Sequence, residues 1–319
     1  MSIPVFAAGH VYAAVDPADA VEAVREAFVA HARGEWLMPS KVYVPAPPDG
    51  DFRAMPARGG GYAALKWVTS FPGNPERGLP TVSGIVLLSD AADGRLLAQL
   101  DAGAVTALRT GAAAVLAAET LAAGEGPAAV VGCGVNGRAV ARTFLARGRE
   151  VILWDRDVAR SAAVAEELGA GTAGSREEAL GADVVATVTP GREILFPAES
   201  LRAGQHVSLM GADGPGKAEI AVEELARARV VVDEWEQASH NGDISRAVEA
   251  ATLGPEDVTE LGRILLGEAG GRAQADEITV FDSTGLAVQD LAVAALVYER
   301  YRADAGADAF AGVVEIALT

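Results

Sequence analysis

One stretch, residues 127–155, restricts what this chain can fold into more than any other: PAAVVGCGVNGRAVARTFLARGREVILWD. An apolar run, Ala128-Ala129-Val130-Val131, meets Gly132-x-Gly134-x-x-Gly137 and then Val140, Phe144 and Leu145 at helical spacing. That order is strand, glycine turn, helix. A second apolar run, Val151-Ile152-Leu153-Trp154, ends on Asp155, twenty-three residues after Gly132. In a dinucleotide-binding βαβ unit each part has a task. The first glycine makes the tight turn, the second lets backbone approach a pyrophosphate, and the third lets helix and strand pack closely. The helix N-terminus faces the phosphates, and the terminal acid takes the ribose hydroxyls. A glycine turn that binds no phosphate would leave the same α/β fold.

Length and charge narrow the rest. With 319 residues, half of them hydrophobic, the chain can bury a substantial core and divides more naturally into two domains than one. No apolar run reads as long enough to span a membrane, and the N-terminus lacks a basic region followed by a long apolar core, so a soluble, cytoplasmic protein is expected. The lone cysteine, Cys133, excludes an intrachain disulfide framework. His10, His31, His206 and His240 have no metal-ligand spacing, and no metal is expected. A net charge of −18 repels nucleic acid and anionic membranes, and excludes both as partners. Only three of the basic residues are lysines: Lys41, Lys66 and Lys217.

Taken in order, the chain begins with a short apolar segment and a helix capped by Asp16-Pro17, with Ala20, Val21, Val24, Phe28 and Val29 at helical spacing. Strand-like pieces follow at 41–44, 52–55, 62–68, 82–88 and 96–98, separated by Pro and Gly turns. Residues 102–123 read as a long Ala-rich helix that ends before Gly124 and Gly126. Beyond Asp155 come a helix at 159–168, strands at 183–188, 206–210, 229–232 and 277–282, and a long helix from 286 to about 301. The expected fold class is therefore α/β. A Rossmann-type, doubly wound parallel sheet spans 125–289. A strand-rich α+β domain is built from 1–124 with 290–319.

Three places outside the glycine turn carry chemistry. Arg53 and Lys66 sit on neighbouring strand-like pieces that read as a hairpin, with Tyr62, Leu65, Trp67 and Val68 around the lysine. Apolar surroundings and a nearby arginine lower a lysine's pKa toward neutrality, where it can exchange protons; a lysine snorkelling from a half-buried strand is the plain alternative. Arg109, on the Ala-rich helix, needs an acid partner, which either a substrate carboxylate or a structural aspartate would supply. The third place is Met210-Gly211-Ala212-Asp213-Gly214-Pro215-Gly216-Lys217, just past a strand. Ligands of such sheets bind at the carboxyl ends of strands, so Asp213 and Lys217 fall where cofactor and substrate meet. Thr187, Met210 and Gly211, also at strand ends, count with Gly132 and Gly134 as cofactor positions.

These residues, with the stretches GDFRAMP, ALKWV, FPGNPERGLPTVSG, TALRTGAA, GADGPGKAE, VVVDEWEQASHNGDI and ITVFDSTGLAVQDLA, make the chain resemble the ornithine cyclodeaminase/mu-crystallin family over nearly its whole length. Within that family it is most similar to the archaeal-type alanine dehydrogenases. The resemblance implies a homodimer in which the first domain, completed by the C-terminal helix, binds substrate and makes the subunit contact while the Rossmann domain binds NAD. It places Arg53, Lys66 and Arg109 on the substrate, with Lys66 as acid/base and Asp213 on the substrate amine. It puts Thr81, Thr110, Asn136, Gly137, Asp155, Lys217 and Ser283 at cofactor positions, with Arg109 beside them. Asn136 departs from the family's usual glutamine. Asp155 disfavours a 2′-phosphate, although Arg156 next to it would partly accommodate NADP.

The implied reaction is reversible oxidative deamination of a small L-amino acid, L-alanine with NAD and water giving pyruvate, ammonia and NADH. The alternatives are cyclodeamination of L-ornithine to L-proline with the NAD recycled, reduction of a ketimine, and nicotinamide binding without turnover.

Overall fold

The computed structural model describes residues 2–214 and 216–317. In chain order the elements begin with β1 (Ser2–Phe6), α1 (Ala8–Ala14), α2 (Pro17–Ala32), β2 (Val42–Ala46), β3 (Gly50–Gly59), β4 (Tyr62–Ser70), β5 (Val82–Asp90), β6 (Leu96–Asp101) and α3 (Ala102–Leu121). There follow β7 (Ala128–Val131), α4 (Val135–Ala146), β8 (Val151–Trp154), α5 (Val158–Leu168), β9 (Gly171–Thr172), α6 (Arg176–Leu180), β10 (Val184–Thr187), β11 (His206–Leu209) and α7 (Val222–Leu225). The chain continues through β12 (Arg229–Val232), α8 (Trp235–Asn241), α9 (Ser245–Glu249), β13 (Val258–Glu260), α10 (Leu261–Leu265) and β14 (Thr279–Asp282), and ends with α11 (Ala287–Ala303) and β15 (Val314–Ala317).

Two compact units result, Met1–Arg109 with Leu286–Thr319, and Thr110–Gly285. The divisions fall at 109/110 and 285/286, not at the 124/125 expected from the glycine-rich join or at 289/290 within the returning helix. The second half of α3 is bonded into the second unit: its Ala114 carbonyl accepts the Ser208 hydroxyl at 3.4 Å, and its Leu121 carbonyl accepts Arg272 Nε at 2.6 Å. At the other division the Gly285 amide donates to Asp233 at 2.7 Å, whereas Ala287 already contacts Met38 of the first unit.

The first unit holds a seven-stranded sheet in the order β15-β1-β6-β5-β4-β3-β2, antiparallel except for the parallel β1–β6 pair. The β3–β4 hairpin pairs Met55 with Lys66 and Arg53 with Val68. Side chains alternate across a strand, so these four share one face, and all four are buried. Helix α11 packs on that face of β3, β4 and β5 and also against α2, whose N-terminus is capped by the Asp16 carboxylate and opened by Pro17. The opposite face carries Val42, Val44, Leu65 and Trp67, all exposed.

Helix α3 corrects one expectation. With 20 residues and a mean hydropathy of 1.2 it is long and apolar enough to span a membrane. Its apolar stretch is 78% buried inside the protein, which its many alanines permit by letting neighbouring elements approach closely; it is a core helix.

The second unit is an eight-stranded parallel sheet in the order β13-β12-β14-β11-β10-β7-β8-β9. The chain leaves β7 toward β8 and β9, and β10 then lies on β7's other side, so the topological switch point lies between β7 and β10. Strands buried on both faces explain the unbroken apolar runs at 128–131 and 184–186. Gly132 has φ +97°, and a Cβ on Gly137 would stand 1.7 Å from the Gly132 carbonyl oxygen. That contact is backbone on backbone and has no flexible end to yield. Gly137→Ala should therefore destabilise the second unit by about 2–4 kcal/mol or prevent its folding. Thermal unfolding would show it as a lowered or missing transition.

Candidate active site

In the first unit, Lys66 projects from β4 into the layer beneath α11 and is 2% exposed. Its Nζ donates to Asp290 Oδ1 at 2.8 Å. Arg109 Nε, from α3, lies 3.5 Å from the same oxygen. Burial pulls the Lys66 pKa down from 10.5 to about 8; Asp290 opposes that shift, while Arg109 and Arg53 add to it. A lysine in this setting gains and loses a proton near neutrality, which is what general acid–base work needs. The snorkelling alternative does not hold for a side chain this buried.

Arg53 is held differently. Its Nε donates to Asp51 Oδ1 at 2.5 Å and its Nη2 to Asp51 Oδ2 at 3.2 Å, and its guanidinium lies 5.3 Å from the centre of the Tyr43 ring. The structure therefore brings together Arg53, Lys66 and Arg109, all singled out in the sequence, with two carboxylates that were not, Asp51 and Asp290. Asp290 had a legible signal, an acid inside the apolar run LAVQDLAVAA at the start of α11. Buried polar atoms are normally paired, yet Arg109 Nε and Asp290 Oδ2 have no hydrogen-bond partner. A donor and an acceptor left open beside a lysine of lowered pKa suit a ligand that carries both a carboxylate and an amine.

The second unit gathers its residues at one sheet edge. All its strands run parallel, so Gly132, Asp155, Thr187, Met210, Gly211 and Ser283 stand at or just beyond their carboxyl ends. Asp155 accepts the Cys133 amide at 2.7 Å and the Asp157 amide at 2.9 Å, and Arg160 Nη1 lies 3.5 Å from it. Arg156 beside it is exposed, and Asn136 lies in the first turn of α4. No side chain caps α4 at Gly134, and a Cβ there would meet nothing within 4 Å, so the helix N-terminus opens onto unfilled space as a phosphate cradle requires. These residues fit a dinucleotide. Thr110 Oγ1 is buried without a hydrogen-bond partner.

Asp213 and Lys217 form an ion pair with each other, and Pro215 between them lies outside the described residues. Thr81, by contrast, belongs to the first unit, where its carbonyl accepts the Phe71 amide at 2.8 Å.

At the same edge sits a group of carboxylates to which no motif in the sequence assigns a role. Glu219 accepts the hydroxyls of Thr187 and Thr189, and its amide donates to Asp243. Burial raises the pKa of both carboxyls, and the Asp243 charge adds to the effect on Glu219. Asp233 accepts Ser283 Oγ at 3.1 Å and the Gly285 amide at 2.7 Å, fixing the turn after β14. Among the described residues no group of His, Cys, Asp and Glu could hold a metal ion.

The model of the ornithine cyclodeaminase/mu-crystallin family matches residues 6–305. The chain belongs to that family. Its similarity to the alanine dehydrogenase of Archaeoglobus fulgidus is 43% identity over 289 residues, covering 88% of this chain and 89% of that one. The ornithine cyclodeaminase of Agrobacterium tumefaciens is 34% identical over 263 residues, covering 79% and 72%. Among solved structures, an archaeal alanine dehydrogenase dimer with bound NAD superimposes with a TM-score of 0.92 at 39% identity, over the full length of both chains. The fold class expected from the sequence, a Rossmann-type parallel sheet with a separate strand-rich unit, is the one found.

The open cradle at Gly134 makes a test that separates binding from folding. Gly134→Ala should leave thermal stability within about 0.5 kcal/mol of the parent, since the added methyl meets nothing. Dinucleotide binding, followed by fluorescence titration, should weaken about tenfold or more, because that methyl stands where a pyrophosphate approaches.

Proposed function

We propose that this family member is an NAD-dependent amino-acid dehydrogenase. It converts L-alanine, or a similarly small L-amino acid, with NAD and water to the 2-oxo acid, ammonia and NADH, reversibly. The observation that carries this reading is the buried Lys66, of lowered pKa, beside Arg109 with its open Nε. Three cations, Arg53, Lys66 and Arg109, face two carboxylates, Asp51 and Asp290, so the surroundings complement one substrate carboxylate.

In this reading Arg53 and Arg109 hold that carboxylate and fix the orientation of Cα. Bound NAD supplies the hydride acceptor. Lys66 accepts a proton from the water that adds to the substrate carbon, and returns one to the departing ammonia. Asp213 contributes a carboxylate to the substrate amine. The dinucleotide is held by Gly132, Gly134 and Gly137 with Asn136 at the pyrophosphate, by Asp155 at the ribose, and by Thr187, Met210, Gly211 and Ser283 at neighbouring strand ends. Thr81, Thr110 and Lys217 complete the set. Asp155 selects NAD over NADP by repelling a 2′-phosphate.

The Agrobacterium relative supports a second reading, cyclodeamination of ornithine, in which the same residues oxidise a diamine whose own side-chain amine closes on the imine. Product analysis decides. The dehydrogenase reading expects NADH and pyruvate from L-alanine; ammonia and proline from L-ornithine, with no net NADH and no reaction of alanine, would replace it.

Lys66 sheds its proton as pH rises through about 8. Alanine oxidation should therefore increase across that pH and level off above it, while reductive amination, which needs the protonated amine, should decline. Lys66→Ala should lower kcat by about 10²–10⁴-fold and abolish this limb of the profile.

The chain is also proposed to form a homodimer through the first unit. Val42, Val44, Leu65 and Trp67 form an exposed apolar face of an antiparallel sheet, where polar residues are the rule for a solvated face. The archaeal structure is itself a dimer. Trp67→Glu should shift sedimentation velocity from dimer to monomer; an unchanged dimer would place the contact elsewhere.

A further inference from the structure

The acid that α11 carries into its apolar surroundings takes no part in the proton transfers of the scheme above, where it counts only as a countercharge and an open acceptor. Asp290 is 1% exposed, with Val288, Leu291, Ala292, Val293 and Ala294 buried around it on the same helix. A carboxylate so placed survives only where partners replace its water. Its partners come from two other elements, Lys66 of β4 at 2.8 Å and Arg109 of α3 at 3.5 Å, and both reach the same oxygen. Its position in the first turn of a 17-residue helix adds the macrodipole's preference for negative charge.

We infer that Asp290 is a positioning residue for the reaction: from the C-terminal helix, its carboxylate sets the Lys66 amine and the Arg109 guanidinium in one arrangement and holds the proton that Lys66 transfers. This rests on Lys66 being the acid/base. The charged groups facing Lys66 are Asp290 from α11, Arg109 from α3 and Arg53 from β3, while β5 places the uncharged Val86 opposite it. Both arginines favour the neutral amine. Asp290 alone favours the ammonium, so this one carboxylate keeps the proton affinity of a fully buried lysine in the useful range. An ion pair serving stability alone would not require a transferable proton.

The chain's three lysines make a direct test possible. Protein labelled with ¹³C at lysine Cε gives three resonances to titrate, and that of Lys66 is identified by its loss in Lys66→Met. The midpoint for Lys66 should lie near 8 in the parent. It should fall by about one pH unit or more in Asp290→Asn. The limb of kcat/KM against pH should move the same way, with kcat reduced about 10–100-fold. Asp290→Glu, which keeps the charge but displaces it, should hold the midpoint within about half a pH unit while kcat falls.

An unchanged midpoint in folded Asp290→Asn overturns the inference. Should that variant not fold, Asp290→Glu decides: a reduced kcat, with the midpoint preserved or lowered, supports the inference, and a kcat and midpoint both unchanged by the displaced carboxylate overturn it. If the parent turns over no amino acid while the midpoint shifts as expected, the dehydrogenase reading fails and the hold of Asp290 on Lys66 stands. Turnover with an unmoved midpoint defeats this inference alone.

Discussion

The contact between Lys66 and Asp290 joins parts of the chain that are 224 residues apart in sequence, and the first unit is arranged to bury it. Strand β4 supplies the amine, α11 the acid and α3 the second cation, so the pair joins residues that precede the second unit in the chain to one that follows it. Charged groups removed from water are costly unless their geometry is good. Breaking such a pair by removing one partner is usually worse than never having built it. Here the arrangement leaves Asp290 Oδ2 and Arg109 Nε without hydrogen-bond partners, which is an expense that stability alone does not explain. Under the proposed function, a substrate carrying a carboxylate and an amine would pair both.

The second unit solves a different problem, that of presenting backbone to an anion. Close backbone contact at Gly137 and the uncapped start of α4 leave amides pointing outward, and parallel strands bring the remaining polar residues to one edge. Behind that edge lie Glu219, Asp243, Asp282 and Asp233, which fix its turns from inside: Glu219 holds the hydroxyls of Thr187 and Thr189, and Asp282 accepts the Ile244 amide at 3.0 Å. Burial raises the pKa of Asp282 well above the usual carboxylate range, as it does for Glu219. A raised proton affinity lessens the negative charge that such carboxyls place beneath an anion site while they brace its loops.

Much of this was legible in the sequence, for identifiable reasons. Strand-like pieces bounded by Pro and Gly turns marked β3 and β4 and put Arg53 and Lys66 on adjacent strands; the glycine spacing and the two apolar runs marked β7, α4 and β8. What escaped was set by tertiary pairing. Nothing near Asp290 in the sequence names Lys66 as its partner, and Asp51 stands two residues from Arg53 in a stretch that gives no hint of their ion pair. Short elements such as α7, α9 and β13 carry too few residues to show a period. The domain boundary was misplaced because the glycines after α3 look like a join, whereas the helix itself belongs partly to each unit. The apolar character of α3, not its length, is what the sequence conceals, since alanine contributes little to the look of an apolar run.

A dehydrogenase takes hydride from Cα of a small amino acid and, unlike a cyclodeaminase, does not return it to the organic product. Turnover of L-alanine deuterated at C2, with mass spectrometry of every product, tests that difference most directly. The proposed dehydrogenase should give one deuterium in the reduced dinucleotide for each pyruvate released, and none in the pyruvate. Deuterium retained in an organic product, with no label in the dinucleotide, would contradict it.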